Sequence, residues 1–250
     1  MKDLFFSFVI PTYNRAKFLP KTLASLLNQS YRYFEIIIID DGSNDETKKI
    51  INNIKDPRIK YYYQENKERG AARNYGLLKA KGDYINFFDS DDIAYNNHLL
   101  TANNILQEKN YDIIHLGHHK ILDNNIIKTN NPNGLLNKKI LFGNIMLPIS
   151  TFISRRIFEE FSFSNDREIA GSEDYLYWLN VSKKFNIYGF KEVTSSLVLH
   201  TKRSMYTTTA SKTEKRILKL LNYIENDDKF NDSEIKKIKA NCFIFSALEF

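Results

Sequence analysis

Tyr84-Ile85-Asn86-Phe87-Phe88-Asp89-Ser90-Asp91-Asp92 is an apolar, aromatic run that ends in three carboxylates. It is short, β-prone and bounded by polar residues, which predicts a buried strand. The acids then lie at the carboxyl end of that strand, where open α/β sheets hold their ligands. Carboxylates this close repel unless a cation stands between them. A hard divalent ion, Mg2+ or Mn2+, meets that need and leaves sites open for phosphate oxygens. Aspartates also crowd ordinary turns and caps, so a polar loop after a core strand would read the same way.

The segments upstream repeat the pattern. Residues 35–39 include four consecutive isoleucines, the mark of a strand buried on both faces in a parallel sheet. That run also ends in acid, Asp40-Asp41, followed by a Gly42-Ser43 turn and helix-start chemistry. Strands are predicted at 5–10, 59–63 and 112–116, and helices at 18–28, 48–54, 70–79 and 98–108. This alternation predicts a mostly parallel, doubly wound α/β sheet flanked by helices. After Gly117 the pattern weakens. Asp123-Asn124-Asn125 predicts a hairpin tip, 151–153 and 196–200 strands, and 155–161 and 173–185 helices. Residues 162–171 read as a polar, mobile loop. From Thr213 onward there is no Gly or Pro. Ile217, Leu218, Leu220, Leu221 and Ile224 recur on one amphipathic face there, which predicts a small helical extension. The chain divides into residues 1–210 and an extension at 211–250.

Composition narrows the function. Hydrophobic residues are 42% of the 250, enough for one sizeable core. Lys and Arg number 36 against 30 acids, a net charge of +6 that favours anionic partners. Cys242 is the only cysteine, so no internal disulfide or cysteine metal cluster can form. Gly-x-Gly-x-x-Gly does not follow the first strand, and neither Gly-x-x-x-x-Gly-Lys-Ser/Thr nor Gly-x-Ser-x-Gly occurs. Dinucleotide-binding, P-loop and serine-hydrolase readings are therefore poor. Carboxylates at two strand ends, with the basic segment Lys67-Glu68-Arg69-Gly70-Ala71-Ala72-Arg73-Asn74, describe a nucleotide site. A carboxylate can accept a base N–H or hold ribose or metal, and an arginine fork suits phosphate. A surface ion pair is the simpler reading of Arg73 taken alone. His118-His119 reads as a solvated strand end, Trp178 as either a ring stacking on a sugar face or a core residue, and His98 and His115 as structural.

The chain resembles the family 2 glycosyltransferases, nucleotide-sugar enzymes of the GT-A fold. The resemblance lies in Phe8-Val9-Ile10-Pro11-Thr12-Tyr13-Asn14-Arg15, Ile38-Ile39-Asp40-Asp41-Gly42-Ser43, Gly70-Ala71-Ala72-Arg73-Asn74, Phe88-Asp89-Ser90-Asp91-Asp92 and Ser172-Glu173-Asp174. These follow in the family's order over roughly residues 5 to 200. The resemblance implies that Pro11, Thr12 and Tyr13 line the nucleotide pocket. It implies that Asp41 binds the base, Arg73 the base or diphosphate, Asp89 the ribose side, and Asp91 the metal, Mn2+ or Mg2+. It makes Asp174 the catalytic base of a single, inverting displacement, with Glu173 orienting acceptor or base. Glu173 and Asp174 are also what the first turn of any helix favours. His200 stands where relatives place a residue closing over diphosphate or metal; a strand-end histidine packed near the surface is the plainer reading.

The expected partners are a nucleotide-sugar donor, a UDP-sugar, and, by family habit, a glycan or lipid-linked acceptor of surface polysaccharide synthesis, with no nucleic acid. The expected location is cytoplasmic, with peripheral contact at the inner membrane face through the C-terminal helices and homo-oligomer formation both open. A sugar-nucleotide nucleotidyltransferase and a non-catalytic nucleotide-binding module are the competing readings.

Overall fold

The computed structural model describes residues 3–203 and 209–248. The elements run β1 (Phe6–Thr12), α1 (Leu19–Leu27), β2 (Phe34–Asp41), α2 (Thr47–Asn53), β3 (Ile59–Gln64), α3 (Glu68–Lys79), β4 (Tyr84–Phe87), β5 (Ile93–Ala94), α4 (His98–Glu108), β6 (Ile113–Leu122), β7 (Asn125–Lys128), β8 (Gly134–Leu135), β9 (Thr151–Ser154), α5 (Glu173–Ser182), β10 (Ile187–Leu199), α6 (Ala210–Glu225) and α7 (Asp232–Leu248). They build one sheet in the order β3-β2-β1-β4-β9-β6-β10-β5, with β7 on β6 and β8 on β10.

The isoleucine run explains the layering. Every residue of β2 is buried. Alternation along the strand sends Ile37 and Ile39 to one core and Ile36 and Ile38 to the other. Leu19, Leu23 and Leu26 of α1 and Leu99, Ala102 and Leu106 of α4 close the second core. The first is closed by α3 and α5, and also by Ile217, Leu220, Leu221 and Ile224 of α6 and Ile238 and Cys242 of α7. The C-terminal helices therefore share the main core. Among the described residues no helix is long and apolar enough to cross a membrane.

The parallel, doubly wound half is β3-β2-β1-β4. The rest of the sheet is mixed. Strand β9 enters antiparallel to both β4 and β6, and β5 is antiparallel to β10. Strand β10 starts at Ile187, well before the predicted 196–200, and pairs in parallel with β6. Register shifts near Gly189 and Val193, beside the polar Lys191-Glu192, break the periodicity that would have revealed it. Residues 155–159 form a 3-10 turn instead of an α-helix.

The loop at 162–171 is tied down, contrary to its polar composition. Asn74 Nδ2 donates to the Phe163 carbonyl at 2.8 Å, and the Phe163 N–H donates to Asn74 Oδ1 at 2.9 Å. Gly70 lets the loop backbone approach α3: a Cβ there would stand 2.2 Å from the Ser164 oxygen. His118 also departs from expectation. It is buried, its backbone N–H donates to Asn131, and burial pushes its pKa down to about 4.

Candidate active site

The carboxyl ends of β1, β2 and β4 and the start of α3 enclose a cavity of about 200 Å3. Pro11, Thr12, Tyr13, Asp41, Arg73, Asp89 and Asp91 all line it. The structure thus brings together every nucleotide- and metal-site residue expected from sequence. Asp174 is not in its lining; it lies on the neighbouring helix α5.

Each residue is positioned by its element. Asp41 ends β2, and its Oδ1 accepts from Gln64 Nε2 at 2.6 Å and the Lys67 N–H at 2.8 Å. Its neighbour Asp40 serves the turn, accepting from the Ser43 N–H and the Tyr61 hydroxyl. Thr12 is buried with Oγ1 unpartnered, and Tyr13 is 46% exposed. A buried hydroxyl without a partner has hydrogen-bonding capacity left to meet, and an exposed ring beside it offers a stacking face.

Arg73 joins this cavity to α5. It is buried, Nη1 stands 2.6 Å from Glu173 Oε1, and Nη2 stands 3.5 Å from Asp89 Oδ1. Its guanidinium also lies over the Phe163 ring at 5.2 Å. Burial works to lower its pKa, but the Glu173 and Asp89 carboxylates outweigh that and raise it. The surface-pair reading of Arg73 is therefore wrong.

The adjacent acids of α5 differ in state. Glu173 takes Arg73, with Arg69 at 3.9 Å, and accepts from the Gly171 N–H. Burial raises its pKa, and the two arginines more than reverse the effect. Among the described residues Asp174 has only the Tyr175 N–H at 2.8 Å and Asn144 Nδ2 at 3.2 Å. Burial and the Glu173 charge push its carboxyl up to about 6. A carboxylate poised near neutrality fits a general base.

The expectation that Asp89, Asp91 and Asp92 surround one metal ion needs correction. Asp92 turns inward, accepts from the Val198 N–H and pairs with Arg203 Nη1 at 2.6 Å. Arg203 also lies 3.6 Å from Asp91 and 3.7 Å from Asp89. The cation among these acids is an arginine. Asp91 is additionally 3.0 Å from His200 Nε2, while the His200 ring stacks on Phe18 at 4.2 Å. The strand-end histidine therefore belongs to the site.

Among the described residues no three His, Cys, Asp or Glu side chains converge to hold a metal. Asp91 and His200 supply one carboxylate and one imidazole. That set fits a divalent ion whose remaining positions come from phosphate and water.

Sequence reasoning missed Arg203 and gave Arg15 no role, though both line the cavity. Arg15 Nε stands 3.8 Å from Asp91. The only signal for Arg203 is Lys202-Arg203 just past β10. Asn144, which holds Asp174, lies in a segment without periodicity.

The family model for glycosyl transferase family 2 matches residues 7–161. The chain is 31% identical over 202 residues to an uncharacterized glycosyltransferase of Rickettsia conorii, covering 79% of this chain and 33% of that one. It thus spans a third of that relative's length. It is 31% identical over 190 residues to the Escherichia coli UDP-Glc:alpha-D-GlcNAc-diphosphoundecaprenol beta-1,3-glucosyltransferase WfgD, covering 75% and 73%. The crystal structure of S. aureus TarS 1-349 in complex with UDP-GlcNAc superposes with a TM-score of 0.77 at 20% identity, covering 99% of this chain and 73% of that one. The match to that fold and the motifs gathered around one cavity agree with the sequence matches: the chain belongs to glycosyl transferase family 2.

Proposed function

We propose that the protein moves a sugar from a nucleoside diphosphate donor, a UDP-sugar, to a hydroxyl of a glycan or lipid-linked acceptor, with inversion and with Mn2+ or Mg2+. One observation carries this reading. Arg73 bridges Asp89 of the nucleotide cavity to Glu173, next to the poised Asp174.

Asp41, Thr12 and Tyr13 bind the nucleoside, and Asp89 the ribose side. Asp91, with His200, would hold the metal, which neutralises charge on the leaving diphosphate. Arg73 fixes Glu173, and Glu173 leaves Asp174 as the one carboxylate free to take the acceptor's proton. A single base suits one direct displacement, which inverts the anomeric centre. The activity in WfgD's name, from UDP-Glc to a diphosphoundecaprenol acceptor, supports the UDP and lipid-linked choices by likeness.

The test is a thermal-shift panel of UDP, GDP, CDP and dTDP, each with and without Mn2+. A ligand that binds only the folded state raises the melting point by mass action. UDP with Mn2+ should give the largest shift. A shift that is the same without Mn2+ removes the metal from the reading, and no shift with any nucleotide removes the donor. Product analysis by NMR then reads the anomeric configuration. A retained configuration overturns the displacement at Asp174.

A further inference from the structure

We propose that Arg216 on α6 binds a phosphate or diphosphate group of the acceptor, beside the base Asp174. The proposal rests on the transferase reading above and names what its acceptor carries.

Residues 212, 216, 219 and 223 recur at helical spacing, so they share one stripe of α6. The stripe runs along the loop at 162–171. Its C-terminal half is neutralised there. Lys219 Nζ lies 2.8 Å from Glu168 and 3.5 Å from Asp166, and the Tyr223 hydroxyl donates to Asp166 at 2.8 Å. Among the described residues its N-terminal half meets no acid. Among the described residues, neither the Lys212 nor the Arg216 side chain has an ion pair or hydrogen bond.

Arg216 is also held in place. Its Nε is buried without a partner. Its guanidinium lies over Gly171, where a Cβ would stand 2.7 Å from Nη1. Gly171 has φ +97°, so backbone angle and arginine alike exclude a side chain there. The Gly171 N–H donates to Glu173, and Asp174 follows. Three residues span at most about 11 Å, so the guanidinium stands within reach of a one- or two-sugar acceptor seated on that base.

The other arginines near the base are engaged. Arg73 and Arg69 face Glu173, while Arg203 and Arg15 face Asp91. Arg216 is outside the lining of the donor cavity. A fixed guanidinium with unmet donors is completed by an anion that accepts in its plane, and phosphate oxygens have that geometry.

The test is isothermal titration of the full chain, saturated with UDP and Mn2+, with geranyl diphosphate and with geraniol. The diphosphate should bind and geraniol should not. Arg216→Gln should weaken diphosphate binding at least about tenfold, Arg216→Lys less so, and both should leave UDP affinity and melting point unchanged. Wild-type affinity in Arg216→Gln, or equal binding of geraniol, overturns the proposal. So does a variant that loses sedimentation with phosphatidylglycerol vesicles yet keeps its diphosphate affinity, since the arginine would then serve the bilayer. UDP is titrated first. A chain that does not bind UDP loses the donor reading, whereas one that binds UDP but treats Arg216→Gln as wild type loses only the acceptor site.

Discussion

Glu173 and Asp174 are neighbours on one helical turn, yet Glu173 faces two arginines and Asp174 an amide and a backbone N–H. The difference sets a pH dependence. In the proposed mechanism Asp174 must be ionised to accept a proton, and burial with the Glu173 charge pushes its carboxyl up to about 6. Turnover at saturating substrates should therefore rise through about pH 6 and level off above it, read as log kcat against pH. Asp174→Asn should remove turnover while UDP still binds. It should also stabilise the fold at pH 8. The folded pKa lies above the unfolded one, so the charged form destabilises the native state at all pH above about 6. Relieving that, with allowance for partial exposure, gives roughly 1–2 kcal/mol, or a few degrees in Tm. An unchanged or lowered Tm would show that the charge is not strained. At this scale the sequence displayed the residue types and their order, but not their states. The arginines that separate Glu173 from its neighbour come from α3, about a hundred residues upstream, and no local pattern records that approach.

At the scale of elements, the strand ends were legible and their counterion was not. An apolar run that stops at acid marks the edge of a parallel sheet wherever it occurs, which is why β2 and β4 could be placed. Arg203 reaches Asp92 only because β10 runs parallel to β6 and ends beside the loop after β4, and β10 is hidden by its polar middle. The pair is nearly dry: Asp92 is 0% exposed and the Arg203 side chain 11%. Removing one partner of such a pair leaves a buried charge. Arg203→Ala should cost about 3–5 kcal/mol, seen as a lower urea midpoint, and adding Asp92→Asn should restore part of the loss. Additive losses in the double variant would show that the two side chains act independently. The loop at 162–171 teaches a related lesson. Its polar residues suggest freedom, but Arg167 reaches Asn66 and Glu68 of the nucleotide wall, and Lys219 and Tyr223 of α6 hold Asp166. Polarity here is used in contacts that only the tertiary fold supplies.

For the whole molecule, the C-terminal helices are part of the body that holds Asp174. Leu220 of α6 is 1% exposed, in the same cluster as Trp178 of α5. Leu220→Ala should cost about 2–5 kcal/mol and broaden or lower the melting transition. A cost below 1 kcal/mol would mean that α6 is only loosely seated. The amphipathic faces of this region were legible as helices, but periodicity cannot say which surface they cover. Asn241 of α7 packs against Gly143, next to the Asn144 that holds Asp174, and Arg216 of α6 packs over Gly171, three residues before Asp174. The two loops flanking Asp174 are thus each backed by a helix from beyond residue 209. This imposes an order of events during synthesis. A chain emerging from the ribosome folds from its N-terminal side, so the wall bearing Asp41, Arg73 and Asp91 can assemble while α6 and α7 are still unmade. The wall therefore precedes the helices that back the two loops beside Asp174, and the cavity and its neighbouring helix α5 gain their final surroundings in that order.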